Sequence, residues 1–113
     1  MENCIFCKIV NKEQGADIVY EDENILAFKD VNPKAPVHIL VIPKKHISSA
    51  KGIKEQHKEL IGNIFYVIYN KLAKNYELES GFRVINNFGE DGGQTVDHLH
   101  FHLLGKRKFD ENF

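Results

Sequence analysis

Hydrophobic runs and alternations mark five β-strands along the chain. Two segments rich in β-branched and aromatic residues, "DIVYED" at 17–22 and "NILAFKD" at 24–30, are separated by acidic residues and predict a β-hairpin. The run "VHILVI" at 37–42 predicts a third strand, and "FRVINN" at 82–87 predicts a fourth. From about Val96 to Leu104 polar and hydrophobic residues alternate, which is typical of a fifth strand with two unlike faces.

Between the third and fourth strands the hydrophobic residues recur every three or four positions. This spacing predicts one long amphipathic helix from about Ile53 to Tyr76. Strands and helix together predict an α+β fold: a five-stranded, mostly antiparallel sheet with the helix on one face and the other face free for a ligand. Because no repeat, low-complexity segment or linker interrupts the chain, we expect a single domain, residues 1–113.

Composition and charge exclude several classes of partner. The 15 Lys and Arg residues nearly balance the 16 Asp and Glu residues, and the formal net charge is −1. No long basic block is present, so we expect no nucleic acid partner. The chain also has no apolar run of about 18 residues and no signal-type N-terminal segment, so we expect a cytoplasmic protein that does not bind membranes.

The two cysteines of the chain, Cys4 and Cys7, lie close together in "CIFC". In a reducing compartment this spacing indicates half of a metal site or a redox pair rather than a disulfide framework. Two thiols packed among apolar residues are the alternative.

Three of the six histidines stand at alternate positions in the fifth strand. His98, His100 and His102 are expected on one face, with Leu99, Phe101 and Leu103 on the core face. A lone histidine on a half-buried strand is usually only a satisfied polar residue. Three of them about 6–7 Å apart disfavour one another's protonation, which keeps imidazoles neutral and able to act as nucleophiles, bases or metal ligands.

The glycine-rich loop "FGEDGGQ" at 88–94 precedes these histidines. Gly92 and Gly93 permit a close backbone approach, and the amides around Gln94 and Thr95 can bind phosphoryl oxygens, on which charge develops during attack at phosphorus. A tight hairpin turn is the purely structural explanation of the loop. A catalytic metal held by the three histidines is a further alternative, although Asp97, the nearest carboxylate, would point to the other face.

The segment "HLHFHLL" at 98–104 resembles the signature of the histidine triad (HIT) family of nucleotide hydrolases and transferases. The resemblance extends over nearly the whole chain. It also includes "CIFCKIVNKE" at 4–13, "IVYEDENILAFKDVNPKAPVHILVIPKKHI" at 18–47 and "VINNFGEDGGQTVDHLHFHLLGKR" at 84–107, in the order and spacing of the Hint-like, nucleotide-binding branch.

This resemblance implies a HIT-like fold with an additional short N-terminal helix and a homodimer whose two sheets join into ten strands. It implies that His100 is the nucleophile, forming a covalent nucleotidyl-histidine intermediate. His38 would support it, and His98 and His102 would flank the phosphate.

The resemblance also implies the remaining site residues. Phosphate would be bound by Asn87, Gly93, Gln94 and Thr95. The ribose and the purine of AMP, GMP or their derivatives would be bound by Asp30, Val31, Phe6, Ile9 and Phe28. A structural Zn²⁺, with no catalytic metal required, would be bound by Cys4, Cys7, His46 and His98.

The expected activity is hydrolysis of the phosphoramidate bond, or a related bond, at the α-phosphate of purine nucleoside monophosphate derivatives. A dinucleoside polyphosphate hydrolase is the alternative within the enzyme class. The alternative of another class is a nucleotide-binding sensor or partner module with slow incidental hydrolysis, because a pocket complementary to the ground state accelerates nothing.

Overall fold

The five predicted strands form one fully antiparallel sheet in the computed structural model, which describes residues 3–112. The predicted domain, residues 1–113, includes Met1, Glu2 and Phe113, which lie outside the described residues. The strand order is β1-β2-β3-β5-β4, which confirms the predicted fold class. The strands are β1 (Ile18–Glu21), β2 (Ile25–Lys29), β3 (Val37–Pro43), β4 (Phe82–Ile85) and β5 (Phe101–Gly105).

The helical segment between β3 and β4 is less regular than the sequence predicts. Ile53 and Lys54 lie outside any helix. The Lys54 amide donates to Nδ1 of His57 at 2.9 Å, and this bond caps a 3₁₀ turn that precedes the α-helix. Within residues 3–112 no helix is long and apolar enough to cross a bilayer. Between β3 and β4 the helical elements are two 3₁₀ turns (Ala50–Gly52, Glu55–His57), α2 (Lys58–Val67), a π-helical turn (Ile68–Leu72) and α3 (Ala73–Asn75).

Hydrophobic residues fill both faces of the sheet. On the helix side, α2 and the π-helical turn pack on the sheet through Ile64, Ile68 and Leu72, which are all fully buried. On the opposite face a second cluster forms around the predicted N-terminal helix, α1 (Ile5–Val10). The face expected to be free for a ligand is therefore covered at one end by α1 and open elsewhere.

The histidine strand begins at Phe101, five residues later than predicted. Pro43 has no N–H to offer, so the β3–β5 ladder stops at the Val41–Phe101 pair. Two other hydrogen bonds hold the preceding segment: the Leu99 amide donates to the Ile47 carbonyl at 2.6 Å, and His98 Nε2 donates to the Pro43 carbonyl at 2.9 Å. The alternation still holds, because the core cluster includes Leu99, Phe101 and Leu103.

Candidate active site and metal cluster

A cavity of about 870 Å³ opens over the face of the sheet that the helix does not cover. Its volume lies within the range of small-molecule sites. Nine of the residues predicted from the resemblance line it, at separations of up to 96 positions along the chain. They are Phe6, Ile9, Phe28, Asp30, Val31, His38, Asn87, Thr95 and His102.

The aromatic and aliphatic part of the wall is at the same time a core. Phe6 and Phe28 pack edge to face with ring centroids 5.4 Å apart, and both are at least nine-tenths buried. Ile9 is buried beside them. These residues therefore stabilise the fold and also offer an apolar surface to a flat ligand.

Four residues predicted for catalysis or phosphate binding lie outside the cavity lining: Gly93, Gln94, His98 and His100. His98 is fully buried in the metal cluster described below. His100 is 5% exposed and lies directly behind the wall, with ring centroids 5.3 Å from Phe6 and 5.2 Å from His102. A ligand seated against Phe6 and His102 is therefore next to His100.

Hydrogen bonds determine which nitrogen of His100 is available. Nδ1 lies 2.7 Å from the His98 carbonyl and donates its proton to it, so Nε2 of the neutral ring carries a lone pair. Asn86 Nδ2 donates to the His100 carbonyl at 2.9 Å and holds the backbone on the other side. Sequence reasoning missed Asn86, because an Asn at the end of a strand gives no sign of which carbonyl it will reach.

His102 has a hydrogen-bond donor at Nε2, whereas His100 has a lone pair at that position. The Lys34 amide donates to His38 Nδ1 at 3.0 Å, so the proton of the neutral His38 ring is on Nε2. His38 Nε2 donates in turn to His102 Nδ1 at 2.9 Å. The remaining nitrogen of His102, Nε2, therefore carries a proton and is a donor.

Burial keeps this pair of histidines neutral near pH 7. The pKa of His102 is lowered to about 4, mainly by desolvation and in smaller part by the neighbouring His100 and His38. Burial also lowers the pKa of His38, and this effect exceeds the opposing attraction of the Asp30 carboxylate 3.4 Å away. The Asp30 carboxylate therefore lies beside a neutral His38 ring and forms no ion pair with it.

The glycine-rich loop is held by its own side chains. A Cβ on Gly92 would lie 2.2 Å from the Phe88 carbonyl oxygen, and Gly93 has a φ of +78°, so both positions favour glycine. Gln94 accepts from the Gly89 amide and donates to the Ser48 and Val96 carbonyls, all within 3.1 Å. Its side chain therefore braces the loop, while Thr95, which directly follows the loop, lies on the cavity wall.

The predicted zinc ligands converge below α1, with one donor atom from each lying within 4.8 Å of the others. Nδ1 of His98 lies 3.3 Å from Sγ of Cys4 and 3.6 Å from Sγ of Cys7, and Nδ1 of His46 lies 3.3 Å from Sγ of Cys7. Zn–S and Zn–N bonds of usual length place S and N ligands about 3.5 Å apart around a tetrahedral ion. Two thiols and two imidazoles at these spacings fit Zn²⁺.

The surroundings of the cluster agree with this fit. His98 Nε2 donates to the Pro43 carbonyl, which leaves Nδ1 free as a ligand atom, and burial lowers the pKa of His98. Burial raises the pKa of the Cys7 thiol, with a further contribution from Cys4, so binding of a cation would release protons. These cysteines are free, and no disulfide joins them.

The three triad histidines do not share one metal site in residues 3–112. A second group with metal-binding potential contains Asp30, His38 and His102, while His98 belongs to the cysteine cluster and His100 to neither. The alternative of a catalytic metal held by all three histidines is therefore wrong. The hydrogen bond between His38 and His102 accounts for the second group without a metal.

Comparison with known proteins gives one consistent family. A family model described as "Scavenger mRNA decapping enzyme C-term binding" matches residues 3–112. A relative from Zea mays, named 14 kDa zinc-binding protein, is 47% identical over 106 residues, which is 92% of this chain and 82% of the relative.

Two solved structures share the fold. A HIT family hydrolase from Legionella pneumophila is 46% identical with a TM-score of 0.93, covering 97% of this chain and 98% of that chain. A histidine triad nucleotide-binding protein from Candida albicans is 34% identical with a TM-score of 0.80, covering 89% of this chain and 73% of that chain. The HIT-like fold is confirmed, and the chain belongs to the histidine triad (HIT) family.

Proposed function

We propose that the protein is a nucleotide hydrolase that cleaves phosphoramidate bonds at the α-phosphate of purine nucleoside monophosphate derivatives, through a covalent nucleotidyl-His100 intermediate. One observation carries this proposal. Two neighbouring histidines with ring centroids 5.2 Å apart present opposite atoms, a lone pair on His100 Nε2 and a proton on His102 Nε2. Attack on a phosphoryl group requires both a nucleophile and a donor to the charged oxygens.

In the first step His100 Nε2 attacks the α-phosphorus, the P–N bond breaks, and the leaving amine takes a proton from solvent. The imidazolium formed on His100 keeps its Nδ1–H bond to the His98 carbonyl, which stabilises its positive charge. His102 Nε2–H donates to a phosphoryl oxygen. In the second step water attacks phosphorus, the bond to Nε2 breaks, and the nucleoside monophosphate and a proton are released.

Other residues would bind the nucleotide without reacting. The apolar wall of Phe6, Ile9 and Phe28 suits a purine ring, and the Asp30 carboxylate beside Val31 suits the ribose hydroxyls. Asn87 and Thr95 on the same wall suit the phosphate. We assign Gly93 and Gln94 the role of shaping the loop that carries Thr95, since neither lines the cavity.

We infer that the resident metal of the Cys4, Cys7, His46 and His98 cluster is a structural zinc ion. The donor set and spacing support it, as does the similarity to the Zea mays zinc-binding protein. Zinc would hold α1 against the loop after β3 and the segment before β5. It takes no part in the covalent step, which uses His100 and His102.

The activity is tested by comparing turnover of an adenosine 5′-phosphoramidate with that of a diadenosine polyphosphate. We expect kcat/KM for the phosphoramidate to be higher by about tenfold or more, because the amine leaves as a neutral molecule once it is protonated, whereas a nucleoside polyphosphate leaves with additional negative charge. The reverse order would assign the protein to the polyphosphate hydrolases. Tight AMP binding without turnover of either compound would favour a binding module.

We also propose that the protein is a homodimer in which two β4 strands pair and extend the sheet to ten strands. All four residues of β4 are only half-buried, and the adjacent helix exposes Phe65, Tyr66 and Tyr69, the last with its ring 4.8 Å from Phe82. Sedimentation equilibrium is expected to give twice the chain mass of 13.0 kDa. Tyr69→Glu should shift the mass to one chain, while Val31→Glu, an exposed apolar position on the β2 side of the sheet, should not.

A further inference from the structure

The cavity extends past the phosphate end to a wall with excess positive charge. This wall is formed by β4 and by the segment after β5, and it contains Arg83, Arg107 and Lys108 with a single acidic residue, Asp110. Lys34 lines the cavity near them. The proposed nucleotide site uses none of these cations.

The two arginines are held in place around one aromatic ring. The guanidinium carbons of Arg83 and Arg107 lie 4.6 Å and 5.1 Å from the centroid of Phe109. Arg83 Nη2 donates to the Asp110 carbonyl at 2.6 Å, and Arg107 Nη1 donates to the Lys34 carbonyl at 2.9 Å. The wall is therefore a formed surface and not a group of free side chains.

The charge of these arginines is not neutralised within the described chain. Their acceptors are uncharged backbone carbonyls, and no carboxylate of residues 3–112 lies within 4.0 Å of either guanidinium. The cavity wall thus contains two guanidinium groups with N–H groups still available for hydrogen bonds to a ligand. Arginine presents five donors in a fixed plane, which matches a carboxylate.

The register of the sheet places this wall on the far side of the phosphate from the nucleophile. His100, His102 and Leu104 follow one another on one face. In the β4–β5 ladder Ile85 pairs with His102 and Arg83 pairs with Leu104, and successive same-face positions are about 6–7 Å apart. Because nucleophile and leaving group lie in line across phosphorus, attack from His100 on a phosphate at His102 sends the leaving group toward Arg83.

We propose that Arg83 and Arg107 form a subsite for an anionic group on the leaving amine, so that the preferred substrates are nucleoside phosphoramidates of carboxylate-bearing amines such as amino acids. The inference rests on the proposed function, which supplies the position of the phosphorus. In the reaction the carboxylate stays bound to the amine and only the P–N bond breaks. Lys108 adds positive charge at the same end of the cavity.

Binding is measured by calorimetry with two adenosine 5′-phosphoramidates, one of glycine and one of glycinamide, which differ by one negative charge. The His100→Ala variant is used so that neither conjugate turns over. We expect the glycine conjugate to bind about tenfold more tightly at low salt, with a preference that declines as ionic strength rises. Adding Arg107→Gln or Arg83→Gln should bring the ratio toward one, and adding Lys51→Gln, at an exposed position outside the cavity, should leave it unchanged.

Two results would overturn the subsite: equal affinity for both conjugates, or a preference that survives both arginine substitutions. Kinetics of the wild-type protein on the same compounds are a separate readout. A binding preference without wild-type turnover of either conjugate would support the subsite and refute the proposed hydrolase activity. Turnover of both conjugates with equal affinities would refute the subsite and support the activity.

Discussion

Replacing His100 by alanine is expected to lower kcat/KM for an adenosine 5′-phosphoramidate by about 10⁴-fold, because the only route to the covalent intermediate is removed. The nucleotide site itself should survive, since the cavity residues proposed to bind the base and the ribose are unchanged. AMP affinity is therefore expected to change by less than about threefold. The loss of kcat/KM would then be confined to the chemical step. Intact-protein mass spectrometry after brief mixing with substrate should show an adenylyl adduct on the wild type and none on the variant.

A matched control separates loss of the nucleophile from loss of a buried histidine. His57 is buried to a similar degree, 7% exposed against 5% for His100, but lies in the 3₁₀ turn before α2 and away from the cavity. His57→Ala should lower the melting temperature and retain most of the turnover at a temperature where it is folded. An adduct that persists on His100→Ala, or turnover within tenfold of the wild type, would contradict a role for His100 as nucleophile.

The chemistry of the site was predictable where it depends on local pattern. Alternation from His98 to Leu103 determines which side chains reach the core, and it survives even though the regular strand begins only at Phe101. The glycine-rich loop was predictable for a similar reason, since a Cβ at Gly92 would collide with the backbone. Such patterns act over two to five residues, a range in which sequence limits geometry directly.

Contacts between distant segments were not predictable from local pattern. The side chain of Gln94 turns to the Ser48 carbonyl, which makes it a support of the loop instead of a cavity residue. Ile53 fits the helical period because it packs against the core, yet the helix starts later, where the His57 ring binds the Lys54 amide. For Gln94 a hydrogen bond between distant segments decides the local structure, and for the start of the helix a side-chain-to-backbone bond three residues long does so.

Removal of the metal is expected to lower the melting temperature of the protein by on the order of 15 °C. A ligand that binds only the folded state stabilises that state, and the stabilisation grows with the logarithm of the ligand concentration divided by Kd. The cluster joins segments 94 positions apart, Cys4 in the turn before α1 and His98 before β5. Differential scanning calorimetry with and without a chelator measures the shift. The exposed Lys8→Ser control in α1 should melt like the wild type, and Cys7→Ser should melt like the chelated protein.

Metal removal should also lower activity before the protein unfolds, because one ligand positions the nucleophile. His98 supplies Nδ1 to the cluster and its carbonyl to His100 Nδ1 at 2.7 Å, so a displaced His98 changes the orientation and tautomer of His100. We expect kcat to fall about tenfold at a temperature where circular dichroism shows an intact fold, and to recover when Zn²⁺ is restored. Full activity of a folded, metal-free protein would show that the cluster stabilises the chain without positioning His100, and an unchanged melting temperature would show that the cluster holds no metal.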